Sequence, residues 1–149
     1  MSSLVTRGPQ VSDPDASRDE WLARLNGLVA MVKGWVEGAD WSTRLIKKSM
    51  RDSVLGPYQA PALLMQRGTV KVLLDPVGRF APGTEGVVDL YLMPGYDDIA
   101  SLYVVGGDWR LNYAFRPTPV MAGMNRAESM ELNAAALNQV LNEMAANAA

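Results

Sequence analysis

The sequence predicts a two-layer α+β domain: an N-terminal helix, a five-stranded antiparallel meander sheet and a C-terminal helix. Three observations predict it. Apolar residues recur at helical spacing from Ser17 to Gly38, the apolar period falls to two between Ala62 and Arg116, and helical spacing returns after Asn133.

Ser17, with Glu20 three residues later, has the form of a capping box, in which hydroxyl and carboxylate satisfy free N–H groups of a first turn. Trp21, Leu25, Leu28, Val32 and Trp35 follow at spacings of four and three, and Leu22, Val29 and Val36 widen the stripe until Gly38 ends it. Residues 1–16 hold two prolines and no apolar period, so they read as a flexible N-terminal arm. That leaves residues 17–149 as a single α+β domain.

The segment WSTRLIKKSMRDS, residues 41–53, fits either a short helix or an irregular strand. It carries Arg44, Lys47, Lys48 and Arg51 with no acid between them. GPYQAP, residues 56–61, reads as a loop because of its glycine and two prolines. Then come five strand-length runs, ALLMQ, TVKVLLDP, GVVDLYLMP, IASLYVV and DWRLNYAF. Arg67-Gly68 and Gly106-Gly107 stand where tight hairpins turn, and PVGRFAPGTEG, residues 76–86, is a longer link. Such short connections predict antiparallel neighbours, since a parallel pair needs a crossover of about a dozen residues. In the last segment Asn133 is placed as an N-cap, Leu132 and Leu137 as a hydrophobic staple, and Leu137, Val140, Leu141 and Met144 along one helix face.

Strand alternation sorts the side chains of the sheet onto two faces. Val70, Val72 and Leu74, then Val88, Leu90 and Leu92, then Trp109, Leu111, Tyr113 and Phe115 belong to the core face. Lys71, Asp89, Tyr91, Tyr103 and Arg110, with Asn112 and Arg116, belong to the wet face. The expectation for Asp89 is a cross-strand ion pair with Lys71 or Arg110. Asp97 and Asp98, just after Pro94-Gly95, are expected to accept backbone N–H groups of a turn.

Composition narrows the chemistry. The chain has neither Cys nor His, so it has no thiol nucleophile, no imidazole base and no standard zinc site. Acid–base work would fall to Asp, Glu, Lys or Tyr, and any metal would be a hard cation held by oxygen. A net charge of −2 gives no general attraction to phosphate backbones or anionic lipid. No apolar run approaches the ~20 residues that cross a bilayer, and no continuous apolar signal segment opens the chain. The expectation is a cytoplasmic protein without membrane association. Gly83-Thr84-Glu85-Gly86 lacks the Lys-Ser/Thr of a P-loop, and there is no Gly-x-Ser-x-Gly elbow. The basic cluster from Arg44 to Arg51 lacks interleaved aromatics, so it reads as a solvated face rather than a nucleic-acid site.

GVVDLYL, residues 86–92, resembles the strand that carries the first metal-binding Asp in restriction-endonuclease-like PD-(D/E)xK nucleases. The resemblance implies Asp89 as a Mg²⁺ ligand, followed by a strand bearing Asp/Glu-x-Lys. The next run, IASLYVV, has neither acid nor Lys, which leaves Glu37, Glu85, Asp97 or Asp98 to supply a second carboxylate. The leading expectation is therefore a non-enzymatic binding or protein-interaction module without cofactor or metal. It would join a partner protein or a second copy of itself through Lys71, Asp89, Tyr91, Tyr103 and Arg110. The alternative is a carboxylate/Mg²⁺-dependent enzyme centred on Asp89.

Overall fold

A computed structural model describes residues 13–80, 83–115 and 127–148. Helix α1 spans Pro14–Glu37 and begins before the Ser17 box. The Asp13 carboxylate accepts the Ala16 N–H at 3.1 Å, and Pro14 sits in the first turn. An Asp cap followed by a proline with preset φ starts a helix at least as well as a serine box does. Residues 13–16 are thus cap and first turn rather than arm, and residues 1–12 lie outside the described residues. Gly38 caps the other end, as expected. Trp21, Leu25, Leu28, Val29, Val32 and Val36 are buried, while Trp35 is only partly covered.

The sheet is an antiparallel meander, with seven strands instead of five. They are β1 (Ser42–Asp52), β2 (Gly56–Arg67), β3 (Val70–Gly78), β4 (Val87–Leu92), β5 (Asp97–Val105), β6 (Asp108–Ala114) and β7 (Ala127–Glu131), lying side by side in chain order. The five expected runs are β3 to β6 and the second half of β2. The two additions are the edges. The ambiguous segment 41–53 is β1, and the polar AESME, which shows no apolar alternation, is β7.

GPYQAP is strand as well, not loop. Pro57 lies opposite Arg51 and Pro61 opposite Lys47 on β1, whereas pairing with β3 begins only at Leu63. Both prolines therefore occupy a stretch laddered on one side, where a missing N–H is tolerated. The hairpins turn where expected, on Gly68 (φ 61°) between β2 and β3, and on Gly106 and Gly107 (φ 61° and 83°) between β5 and β6. Arg116 lies outside the described residues.

Helix α1 packs mainly on β2, and helix α2 (Ala134–Asn147) packs on β5, β6 and α1. Both helices share one core with Leu63, Met65, Val72, Leu74, Val88, Leu90, Leu102, Leu111 and Tyr113 from the sheet. The core-face assignment by alternation is correct for β3, β4 and β6, although Val70 and Phe115 are only partly buried and so is Trp109, at the margin. There its ring centroid lies 6.5 Å from that of Trp21. Asn133 caps α2 by accepting the Ala136 N–H at 2.8 Å, with Leu132 and Leu137 both buried as the staple requires.

Asp98 departs from its expected role. Its carboxylate accepts the Tyr113 hydroxyl at 2.9 Å and the Asn147 amide at 2.8 Å, so it ties β5 to β6 and to the last turn of α2. Its φ of 49° is a left-handed conformation that Asp tolerates better than most side chains. Asp97 folds its carboxylate over Gly95. Among the described residues no helix is long and apolar enough to cross a membrane.

Candidate functional site

With both helices on one side, the other face of the sheet stays open, and cross-strand register arranges its side chains in rows. One row runs Asp75, Asp89, Ser101, Asn112 and Ser129 from β3 to β7. A second runs Val87, Tyr103, Arg110 and Glu131 from β4 to β7. Leu64, Leu73 and Tyr91 form a third, which begins at Arg44 on β1. All five residues singled out from the sequence stand on this face.

They do not form one cluster. Asp89 pairs with neither Lys71 nor Arg110. Its Oδ2 accepts the Tyr91 hydroxyl at 2.8 Å, and its Oδ1 accepts the Ser101 hydroxyl at 2.9 Å. The register explains the difference: the residues directly across from Asp89 are Asp75 and Ser101, while Lys71 and Arg110 belong to other rows. Asp75, a like charge opposite Asp89, is instead held by Lys48 Nζ at 2.8 Å, which also donates to the Pro76 carbonyl at 2.8 Å. Opposed carboxylates repel, and the β1 cation offsets that repulsion.

Tyr103 and Arg110 are direct cross-strand neighbours. Both reach Ser129, the hydroxyl of Tyr103 at 2.7 Å and the Arg110 guanidinium at 3.2 Å. Tyr91 is flanked by Tyr96, edge-on with ring centroids 5.3 Å apart. Tyr96 is 53% exposed and has a φ of 55°, an uncommon value for an aromatic residue. Lys71 is exposed, with no ion-pair partner among the described residues. Ser101, Ser129 and Tyr96 complete the face and were not visible as site residues. Serine carries no pattern of its own, β7 has no strand signal, and Tyr96 lies in a turn.

The other carboxylates considered beside Asp89 are engaged elsewhere. Glu85 faces Arg24 at 3.8 Å and accepts the Gly107 N–H at 3.2 Å. Glu37 accepts the Thr43 hydroxyl and the Lys33 ammonium, the latter at 2.9 Å, and these hydrogen bonds, that of Thr43 first, hold its carboxyl below the usual range. Asp98 belongs to the α2 tether. Among the described residues no three carboxylates gather into a group that could hold a metal ion.

The Tyr91 hydroxyl is pushed up to about 12, first by partial burial and then by its hydrogen bond to the Asp89 carboxylate. An NMR titration of ring-labelled tyrosine should find it ionising there. In Asp89→Asn the value should fall only part of the way, because burial is the larger cause. The sign follows from which form the fold holds. It holds the neutral phenol, so this contribution to stability is complete below about pH 10, the unfolded value, and is lost as pH rises toward the folded one. A Tyr91 that titrates with ordinary tyrosines would show that the Asp89 bond does not form in solution.

Comparison of the chain with protein-family models, with curated proteins and with solved structures finds no match in any of the three.

Proposed function

We propose that the chain is a non-catalytic protein-interaction module, and that the open sheet face is where its partner docks. One observation carries this reading: the face presents tyrosine and arginine side chains already fixed by the fold. Tyr91 is held by Asp89, and Tyr103 and Arg110 by Ser129. Tyr and Arg are enriched at interfaces, and side chains ordered before binding lose less entropy when the partner arrives. Exposed Tyr96 and Ile99, 53% and 55% accessible, add apolar surface beside them.

The test compares the wild-type chain with Tyr103→Ala/Arg110→Ala as baits in an extract of the native organism, with the mass of each purified protein measured in parallel. Proteins retained by the wild type and lost with the variant, at unchanged melting temperature, support the reading. A change from dimer to monomer would identify the partner as a second copy. Identical retention and identical mass would reject this face as the docking site.

One observation favours the carboxylate enzyme as a second reading: Asp75 lies directly opposite Asp89, with the Lys48 ammonium beside it. Two carboxylates and a lysine are the residue types a metal-assisted hydrolysis uses. Against it, each Asp89 oxygen already accepts a protein donor and Asp75 is already held by Lys48, so a cation would have to compete with Tyr91, Ser101 and Lys48. Millimolar Mg²⁺ or Mn²⁺ is therefore expected to leave the melting temperature unchanged. A rise of several degrees that disappears in Asp89→Asn would favour the enzyme, since a bound cation stabilises the folded state by RT ln(1 + [L]/Kd).

A further inference from the structure

β1 is an edge strand with unusual properties. It is 11 residues long, pairs with β2 on one side, and no further backbone bond engages Ser42–Asp52 among the described residues. Sheet edges of this kind recruit other strands unless blocked, and charge is the common block. Here all the charge between Ser42 and Arg51 is of one sign. Arg44, Lys47 and Arg51 are exposed, and only Lys48 is neutralised, by Asp75. The opposite edge, β7, is only 5 residues long.

The edge also carries an apolar contact point. Leu45 is 60% exposed, more than any other large hydrophobic residue described. It opens onto a groove of about 270 Å³ between α1 and the β1–β2 pair, lined by Leu22, Asn26, Leu45, Lys47, Ala60 and Pro61. That volume suits one or two side chains of an extended segment, not a small-molecule ligand.

We propose that the outer edge of β1 takes an extended acidic segment of a partner protein by strand addition. The segment's backbone pairs with the free edge of Ser42–Asp52, an apolar side chain rests on Leu45 in the groove, and its carboxylates meet Arg44, Lys47 and Arg51. Charge complementarity selects the occupant. A second copy pairing through the same edge would set two rows of cations against each other, which like charges across strands disfavour. Single-stranded nucleic acid would find the cations but no ring to stack on, because Ser42–Asp52 contains no aromatic residue. This inference does not depend on the docking residues Tyr91, Tyr103 and Arg110 of the open sheet face, although Arg44 stands at the β1 end of one of that face's rows.

The test uses the full chain and a fluorescent peptide of alternating Glu and Val, with binding read by anisotropy at low salt. The peptide is expected to bind, to weaken as salt rises, and to lose about tenfold in affinity to Lys47→Glu/Arg51→Glu. Leu45→Ser should weaken it severalfold. The matching Lys/Val peptide should not bind. The deciding probe is the Glu/Val peptide N-methylated at every residue, which keeps charge and side-chain order but has no N–H to give to a ladder on either edge. Loss of its binding to the wild-type chain supports strand addition, whether or not the variants fold. Equal binding of the methylated peptide, no binding of the parent peptide, or its displacement by an oligothymidylate of equal charge would each overturn the proposal. So would dimerisation of the chain that Lys47→Glu/Arg51→Glu abolishes.

Discussion

Replacing Gly86 with alanine should destabilise the protein by several kcal/mol, and the effect should depend on Trp21. Gly86 is buried just ahead of β4, with a φ of 154°, and an added Cβ would overlap the six-membered ring of Trp21. That indole is 1% exposed, packed within the core, so neither partner has room to move. Overpacking of this kind typically costs about 1–3 kcal/mol, and the backbone conformation adds strain that any Cβ would feel. Trp21→Ala alone should cost about 3–5 kcal/mol, the usual range for emptying a buried aromatic site. The double variant separates the two causes. With the indole gone, Gly86→Ala should cost distinctly less than it does in the wild type, because the overlap is removed and only the backbone term remains. Urea unfolding of the four proteins measures the cycle. Strict additivity would mean that Trp21 does not press on Gly86 in solution.

Much of this architecture was legible because periodicity survives wherever one face is buried. The α1 stripe, the alternation of β3 to β6 and the Asn133 cap all mark a boundary between core and water, and each fell where the pattern placed it. The failures share a cause. β1, the first half of β2, and β7 are edges or one-sided strands, where burial imposes little alternation and prolines are tolerated. The open face was legible as a set of residues but not as a network. Alternation gives the face of each strand, whereas partners depend on register between strands, and a shift of one hairpin exchanges every neighbour. Asp89 illustrates this. Its face was correct, yet its partners are Tyr91 and Ser101, because the β3–β4 and β4–β5 registers set Asp75 and Ser101 across from it. Asp98 was harder still, since its partners Tyr113 and Asn147 lie 15 and 49 residues away.

Removing residues 133–149 should cause unfolding or association, because α2 closes the end of the core that α1 does not reach. A sheet strand occupies about 4.8 Å of width and a helix about 10 Å, so one helix cannot cover seven strands. Helix α1 covers the β1–β2 side, and α2 lies over β5 and β6. Leu137, Val140, Leu141 and Met144 are each fully buried there, and their loss would bare Leu102, Leu111 and Tyr113 on the sheet. An apolar surface of that size does not stay solvated on a stable monomer. The Asp98–Asn147 bond goes too, but its share is small. Asn147→Ala alone should cost about 1 kcal/mol, the usual worth of such a hydrogen bond, whereas Leu141→Ala should cost about 2–5 kcal/mol. That ordering, measured by urea unfolding, assigns the role of α2 to burial rather than to its terminal tether. Light scattering of the truncated chain completes the test, and a truncated chain that stays monomeric with undiminished stability would remove α2 from the core.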